Sequence, residues 1–384
     1  MAHAKIFGAS KAYEWGNCPG SVALSKDIPD QSSSFAREGT AAHTLAELVL
    51  TEKIAKAEKV LGKTITVEGQ AITVDDEMVA SITTYVNDVI DATPVNAIRL
   101  IEERVDYSHP IAQTGAFGTA DVIVISGDEI QVHDLKYGKG VQVDAKENWQ
   151  LMLYALGAYE LYGIAGDFKS IRLFIHQPRL HHLSEWVLSV EDLLAFGEDM
   201  KARAARVFSS PDEMNPGEKQ CRWCKAKATC PALQKQVMDE FDKLTKPEDG
   251  NVENEVLGRA MSHVDMIESW CKAVRAETER RLLTGHEIPG FKLVEGRRGA
   301  RKWADASLVE DALKAMRVKA SDMYEQKLIS PTKAEKLVKS GVIGKRQWDK
   351  LIPQMVQAEG KPSVAKSSDA RPAKQYGLEF QNVS

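Results

Sequence analysis

The chain has 384 residues, of which 43% are hydrophobic and 27% are charged, and its formal net charge is −5. This composition is ordinary for a globular protein with room for two domains, or for one domain with a large extension. No secretory leader pattern and no run of eighteen apolar residues occur, so we expect a cytoplasmic protein without a membrane-spanning segment. Five cysteines are too few for a disulfide framework in a chain of this length.

Charge is unevenly distributed along the chain. Residues 251–384 contain 24 Lys and Arg against 18 Asp and Glu, whereas residues 1–250 contain 26 against 37. A basic region beside an acidic one suits a nucleic-acid partner, because basic side chains bind phosphates while carboxylates elsewhere bind metal. A solvated helical surface explains the same asymmetry equally well.

Hydrophobic periodicity and turn residues predict the elements of the first 235 residues. They are a helix that opens near Thr40, a helix over 75–92, a strand over 98–107, a hairpin over 118–138, a helix over 143–163 with an acidic first turn, strands over 171–180 and 183–190 joined through Pro178, and a helix over 190–208. On the first helix, His43 and Glu47 are four residues apart and therefore share a face.

The remaining sequence differs in composition and in its predicted elements. It contains a long charged helix over 253–285, a hairpin over 290–303 and a Pro/Ser/Lys-rich tail over 359–374. The order of elements predicts an α+β fold, with a mixed central sheet flanked by helices. We place one domain at residues 1–235 and a basic, mainly helical C-terminal region at residues 236–384.

The predicted hairpin brings acidic residues together. If Gly127 and Asp128 form a II′ turn, the numbers of opposed residues sum to 255, so Asp121 faces Asp134 and Lys136 lies on the same side. Opposed carboxylates destabilise a sheet unless a counter-charge is present. One reading is therefore a divalent-cation site. The other is that Asp121 caps its strand while Asp134 and Lys136 form an exposed ion pair.

A cation at this position would be Mg²⁺ or Mn²⁺, which prefer carboxylate and carbonyl oxygens and leave coordination sites for phosphate oxygens. Such an ion can activate a water and shield the charge of a phosphodiester under attack. Lys136 could orient that water or stabilise charge in the transition state. Asp121, Asp134 and Lys136 are therefore the candidate catalytic residues.

Four short motifs occur in an order that resembles the RecB-like branch of the PD-(D/E)XK nucleases. They are "EGTAAH", "GTAD", "DLK" and "QLMLYA", and the resemblance covers roughly residues 1–235. Ala120 stands where the branch name has a proline. The resemblance implies a restriction-endonuclease-like core with metal ligands at His43, Asp121, Asp134 and the backbone carbonyl of Leu135. It also implies that Gln150 and Tyr154 lie toward DNA, and Glu47 is a further candidate.

Three cysteines are closely spaced as Cys221-x2-Cys224-x5-Cys230, and a tetrahedral or cubane site needs a fourth thiolate. Cys18 is the candidate, and Cys271 is assigned to helix packing. RecB-like nucleases with an iron–sulfur cluster use one early and three late cysteines, so the resemblance implies a [4Fe–4S] cluster. Zn²⁺ suits four thiolates as well, and unligated structural cysteines are the remaining alternative.

The resemblance implies a metal-dependent DNA nuclease, most simply an exonuclease in phage-type recombination, repair or replication, in a bacterial or phage-infected cell. We expect DNA as a partner, a single-strand annealing or binding protein as another, and phosphate contacts from Arg297, Arg298, Arg301 and Lys302. The alternative is a non-catalytic DNA-binding or protein-binding accessory module on the same fold, with a structural zinc or iron–sulfur site. The sequence leaves the oligomeric state open.

Overall fold

The computed structural model describes residues 4–29, 33–245, 254–292 and 331–352. By internal contacts the chain divides into two compact units, Met1–Val294 and Glu295–Ser384. The boundary expected after residue 235 falls inside the first unit and stays a prediction. Within the described ranges, no helix has the length and apolar content required to cross a membrane.

The first unit contains helices and strands in the order predicted for an α+β fold. The described strands are β1 Thr64–Val67, β2 Gln70–Thr73, β3 Ile98–Asp106, β4 Phe117–Ser126, β5 Glu129–Leu135, β6 Ser170–Gln177 and β7 His182–Ser189. The described helices are α1 Ala12–Asn17, α2 Gly20–Ser25, α3 Ser34–Leu50, α4 Asp76–Ala92, α5 Trp149–Tyr162, α6 Val190–Ser209, α7 Glu218–Arg222, α8 Pro231–Thr245 and α9 Asn254–Leu283. In the second unit, α10 Pro331–Lys339 and α11 Lys345–Leu351 are described.

The central sheet has the strand order β3-β4-β5-β6-β7. Its neighbouring strands are antiparallel except β5 and β6, which are parallel. A parallel pair needs a crossover connection, and α5 lies in the chain between these two strands. The predicted mixed sheet flanked by helices is therefore confirmed, and its parallel centre places the end of β5 beside β6.

The register of the β4–β5 hairpin is the predicted one. Ser126 pairs with Glu129 and Val122 with His133, so the paired numbers sum to 255. Gly127 has a φ of +59°, and Asp128 does not have a positive φ. A II′ turn requires this combination, with a positive φ at its first central residue only. The hairpin consequently brings Asp121 and Asp134 to the same end of neighbouring strands.

Two hydrophobic clusters cover the two faces of the sheet. On one face, α5 and α6 pack on side chains such as Ile123 and Val132. On the other face, α3 and α4 pack on Val122 and Leu135. Functional groups from α3, α4 and α5 can therefore meet only where the strands end or where their regular alternation fails.

The alternation does fail at one point in the sheet. Ala120 and Ile123 of β4 both belong to the α5 cluster, whereas Val122 belongs to the α3–α4 cluster. Strict alternation would put residues 120 and 122 on the same face, so it inverts at Asp121. Opposite this point, Glu102 of β3 has a left-handed φ of +53° and makes no ladder pair. This local distortion allows Asp121 to reach α3.

Two helix starts differ from those predicted. The first long helix begins at Ser34 rather than near Thr40, because the Ser33 side chain accepts a hydrogen bond from the Ala36 amide and caps it. Helix α5 begins at Trp149, because Asn148 caps it by accepting from the amides of residues 150 and 151. The predicted acidic first turn of this helix is therefore wrong.

The other predicted elements of the first unit have close counterparts. The helix over 75–92 is α4, capped by Asp75, and the long charged helix is α9. The β1–β2 hairpin had no predicted counterpart. The hairpin predicted over 290–303 lies largely outside the described residues, and the Pro/Ser/Lys-rich tail lies entirely outside them.

Candidate metal centre

Asp121 connects helix α3 to the central strands. Its Oδ1 lies 3.2 Å from His43 Nδ1, and its Oδ2 accepts a hydrogen bond of 2.7 Å from the Leu135 amide. The side chain is 10% exposed. Both carboxylate oxygens are thus fixed, one by a side chain on α3 and the other by the backbone of β5.

Asp134 is joined to Lys136 and to helix α5. Lys136 Nζ lies 2.9 Å from Asp134 Oδ2 and donates to Gln150 Oε1 at 2.8 Å. Gln150 Nε2 lies 3.1 Å from both Asp134 Oδ1 and the Tyr154 hydroxyl. The structure therefore brings together the acid, the ammonium, the amide and the phenol that the sequence predicted at one site.

One oxygen of Asp134 lacks a complete set of partners. The side chain is 4% exposed, and its Oδ2 is in ion-pair distance of Lys136 without the geometry of a hydrogen bond. No other partner for this oxygen is present among the described residues. The Lys136 ammonium offsets part of the cost of burying this oxygen, and a divalent cation beside it would offset more.

Glu102 is a site residue that the sequence analysis missed. A carboxylate oxygen of Glu102, an oxygen of Asp121 and a ring nitrogen of His43 lie within 4.8 Å of one another, which is close enough to hold one metal ion. The signal in the sequence was weak, because the Glu lies within an ordinary strand pattern, "IRLIEERVD". Only the left-handed backbone at this residue separates it from its neighbours.

The charges of His43 and Asp121 stabilise each other without a metal ion. Burial lowers the pKa of His43, but the Asp121 carboxylate outweighs burial and raises it to about 9. Burial raises the pKa of Asp121, but the His43 cation and the Leu135 amide hold it below its usual range. At neutral pH these two residues are therefore an ion pair.

The other two carboxyl groups are harder to ionise. Burial raises the pKa of Asp134, Lys136 opposes this, and the charge of Asp121 adds to it. Burial and the same charge of Asp121 raise the pKa of Glu102 to about 7. Three carboxyl groups in one place thus carry fewer than three negative charges until a further cation joins them. We call His43, Glu102, Asp121, Asp134 and Lys136 the carboxylate site.

The remaining residues predicted for the nuclease site lie in different parts of the molecule or outside its described residues. Leu135 takes part through its amide, and the predicted role of its carbonyl stays a prediction. Glu47 forms an ion pair of 3.0 Å with Lys53. The predicted phosphate-binding residues Arg297, Arg298, Arg301 and Lys302 lie outside the described residues.

The four predicted cysteines lie in one neighbourhood. Asn215 N donates to Cys18 Sγ and Gly217 N donates to Cys221 Sγ, both at 3.4 Å. Cys18 and Cys230 both influence the ionisation of Cys221, and Cys221 influences that of Cys224. The N-terminal segment is thereby held against the segment after α6. We call Cys18, Cys221, Cys224 and Cys230 the thiol site.

Cys18, Cys224 and Cys230 are buried, Cys221 is partly buried, and the sulfurs are not closely clustered. Within the described ranges, no three cysteine sulfurs lie within 4.8 Å of one another. Burial raises the pKa of Cys18 and of Cys221, and it raises that of Cys224 to about 12. Cys18, Cys221 and Cys224 are therefore neutral thiols at neutral pH in the absence of a metal.

One known protein family matches nearly the whole chain. A family described as a protein of unknown function, DUF2800, matches residues 3–372. This match spans nearly the entire sequence, so the chain belongs to the DUF2800 family. The description of the family assigns no activity.

Proposed function

We propose that this DUF2800 protein is a metal-dependent DNA nuclease, similar to the RecB-like branch of the PD-(D/E)XK nucleases. We further propose that it acts as an exonuclease in phage-type DNA recombination, repair or replication. The observation that carries the proposal is the junction of buried Asp121 and Asp134 with Lys136 at the end of neighbouring strands. Two acids and an ammonium are the groups that metal-assisted phosphodiester hydrolysis requires.

The donor set fits a hard divalent cation. His43, Glu102 and Asp121 offer one imidazole and two carboxylates within 4.8 Å of one another. Asp134 is not a member of this close group, and its Oδ2 lies 2.9 Å from Lys136 Nζ. Mg²⁺ and Mn²⁺ favour such oxygen-rich sites. Because His43 carries a proton in the metal-free site, it must release that proton before its ring nitrogen can act as a ligand.

When bound, the ion would polarise the scissile phosphate and lower the pKa of a nearby water. The side chains have separate tasks. Lys136 lies 29% exposed beside Asp134, so its ammonium can reach a phosphate oxygen and stabilise charge that develops there. Gln150 holds both Lys136 and Asp134, and therefore fixes the direction in which the ammonium points.

We also propose that the thiol site holds a [4Fe–4S] cluster. In a tetrahedral zinc site with Zn–S bonds of about 2.3 Å, the sulfurs would be roughly 3.8 Å apart. Within the described ranges no three of these sulfurs lie within 4.8 Å of one another, which is compatible with a cubane, since a cubane inserts four irons and four sulfides between its ligands. Zn²⁺ remains the competing occupant, and its stoichiometric presence in purified protein would replace the cluster.

Cleavage by the Asp134→Asn variant tests the nuclease proposal. The substitution keeps the shape of the side chain and removes its charge, so we expect cleavage of end-labelled linear DNA with Mg²⁺ or Mn²⁺ to fall by about 10³-fold or more. The matched control is Asp128→Asn, which makes the same change at the exposed turn of the same hairpin. Without metal, the Asp134→Asn protein should melt at or above the wild-type temperature, because Asp121 loses a like-charge neighbour.

Two outcomes would overturn the proposal. Wild-type protein that degrades no linear DNA with either metal would favour the non-catalytic accessory module. Asp134→Asn protein that cleaves at the rate of Asp128→Asn would show that the buried acids are structural. A covalently closed circular substrate run in parallel separates exonuclease from endonuclease action, since only the latter cuts it.

A further inference from the structure

Trp149 is a partly buried residue at the start of α5 that the proposed chemistry does not yet use. Its ring stacks on the ring of Tyr13 on α1, with centroids 4.4 Å apart and an angle of 12° between the planes. The guanidinium carbon of Arg203 on α6 lies 4.9 Å from the centroid of the same indole. Stacked rings and a cation near an aromatic ring attract each other beyond the area that they bury. The indole therefore attaches the start of α5 to two other helices.

The groups around the indole leave it little room to move. A Cβ at Gly16 would lie 2.8 Å from Cζ3 of Trp149, so the backbone of α1 approaches the ring as closely as a glycine allows. Arg203 is held in turn, because its Nη1 donates to the carbonyl oxygen of Gly16 at 3.2 Å. The Tyr13 hydroxyl donates to the carbonyl oxygen of Glu147 at 2.6 Å. These contacts join α1 both to the ring and to the segment that leads into α5.

Helix α1 is itself fixed in the core. Ala12 and Trp15 are each 1% exposed and belong to the hydrophobic cluster on which α5 and α6 pack. The Trp15 Nε1 donates to the carbonyl oxygen of Gly8 at 3.1 Å, so its buried polar atom is also satisfied. The stack on Tyr13 therefore ties Trp149 to a part of the molecule that cannot follow a displacement of α5.

The first turn of α5 needs such an anchor more than the rest of the helix does. Residues 151–158 are all buried, whereas Trp149 and Gln150 are partly buried. The first amides of a helix have no acceptor within the helix, so this turn relies on its cap and on side-chain packing. Asn148 provides the cap. The core thus fixes the body of the helix, and the indole fixes its beginning.

Gln150 depends on the direction of this turn. Its Oε1 accepts from Lys136 Nζ at 2.8 Å, and its Nε2 lies 3.1 Å from Asp134 Oδ1. Consecutive residues of an α-helix project about 100° apart, so a rotation of the first turn that moves Trp149 moves Gln150 through the same angle. Hydrogen bonds weaken steeply when their length and angle change, and one amide must satisfy both partners here. A small rotation would therefore release Lys136, Asp134 or both.

We propose that Trp149 is a positioning residue of the carboxylate site, whose indole fixes the direction of Gln150 through the first turn of α5. This rests on the proposed function, in which Gln150 holds the ammonium of Lys136 where charge develops on the phosphate. Trp149 acts through Gln150 and not by contact with DNA. Loss of the indole should therefore lower kcat and leave KM for DNA unchanged, and it should do so only while Gln150 is present.

The experiment is a double-mutant cycle on full-length proteins, with cleavage of end-labelled linear DNA in Mn²⁺ as the assay. In the wild-type background, Trp149→Ala should lower kcat about tenfold with KM unchanged, because a misplaced group loses much of its value in the transition state. In the Gln150→Ala background, the same substitution should lower kcat less than about twofold, because no amide remains to be positioned. Trp149→Phe should keep most of the wild-type kcat, since its ring can still stack on Tyr13.

Trp186 offers a matched control for the loss of packing. It is also a partly buried tryptophan packed against the same hydrophobic cluster, but it lies on β7. Trp186→Ala should lower the melting temperature about as much as Trp149→Ala does, and it should keep the wild-type kcat. If Trp149→Ala does not fold, Tyr13→Ala takes its place in the cycle, because it removes the stacking partner and leaves the indole.

The outcomes separate the inference from the proposed function. Equal falls in kcat in the two backgrounds would show that Trp149 supports the fold and not Gln150. A higher KM at unchanged kcat would show that the indole contacts DNA, and a fall in kcat as large for Trp186→Ala would show a general effect of stability. Each of these three results overturns the inference while the nuclease stands. Wild-type protein that cleaves no linear DNA would overturn the proposed function, and the inference with it.

Discussion

The carboxylate site and the thiol site are both candidate metal centres, but they differ in the charges that they carry without metal. In the carboxylate site, His43 is paired with Asp121, and Lys136 is paired with Asp134. In the thiol site, burial raises the pKa values of Cys18, Cys221 and Cys224, and backbone amides donate to the sulfurs of Cys18 and Cys221. The first therefore carries its own counter-charges, whereas the second acquires charge only when a metal displaces its protons.

This difference indicates which of the two centres depends on metal for folding. The carboxylate site is assembled from strands and helices with large hydrophobic clusters on both faces, so its geometry survives without an ion. Near the thiol site the buried cluster is small, with Cys230 itself among its members. We therefore expect metal loss to abolish activity at the first centre and stability at the second.

The largest expected effect is that of Cys18→Ser. Cys18 and Cys221 are separated by about two hundred residues, and a cross-link over that distance stabilises a fold by roughly 5 kcal/mol in the chain-entropy model. A serine hydroxyl is a poor ligand for iron, so the variant should lose its brown colour, its iron and about that much unfolding free energy. Iron analysis, the visible spectrum and thermal melts measure the change.

Cys271→Ser is the control, because this cysteine lies on α9 and was assigned to packing. It should keep the wild-type iron content and lose little stability. Equal iron in Cys18→Ser and wild-type protein would break the comparison, because the thiol site would then not depend on its N-terminal cysteine.

A smaller effect is expected from Gly118→Ala, which tests whether packing alone holds the carboxylate site. A Cβ at Gly118 would lie 2.5 Å from Cε1 of Tyr154, so the ring or the whole of α5 must move. Such overpacking costs about 1–3 kcal/mol, and the displaced Tyr154 should release Gln150 and slow cleavage. At Gly140 a Cβ would meet no atom within 4 Å, so Gly140→Ala is the matched control for melting and cleavage.

The sequence predicted the part of the site that depends on short-range geometry. The turn at Gly127 fixes the hairpin register, and the register fixes which acids share the end of the hairpin. Gln150 was expected near the site only from the resemblance to RecB-like nucleases, and its contact with Asp134 comes from α5, which connects the parallel strands β5 and β6. In the hairpin, a local rule about turns determines a long-range contact.

The parts that the sequence did not predict depend on departures from regular structure. The inverted alternation at Asp121 and the left-handed Glu102 break the period of two from which strand faces are predicted. The starts of α3 and α5 depend on which of several polar residues caps them, and Ser33 and Asn148 have close competitors in the sequence.

The smallest expected effect concerns Glu102 and tests the claim that the carboxylate site keeps its geometry without metal. The folded state raises the pKa of Glu102 from 4.5 to about 7, through burial and the charge of Asp121. The folded protein thus binds this proton more tightly than the unfolded chain does, so ionised Glu102 destabilises the fold. The penalty is absent below pH 4.5, grows between pH 4.5 and 7, and is complete above pH 7.

Glu102→Gln removes this penalty and one metal ligand together. At pH 8 without metal, the variant should be more stable than wild type by about 1 kcal/mol, a figure reduced from the full shift because the side chain is only half-buried. Most of the gain should vanish at pH 5, where wild-type Glu102 is largely protonated when folded. With saturating Mn²⁺ at pH 8 the order should reverse, because wild-type protein gains more from the ion. Urea unfolding at both pH values measures this, with Glu103→Gln on the same strand as the control. If the variant is less stable than wild type without metal at pH 8, then the Glu102 carboxylate stabilises the fold and is not a cation ligand that costs stability when no cation is bound.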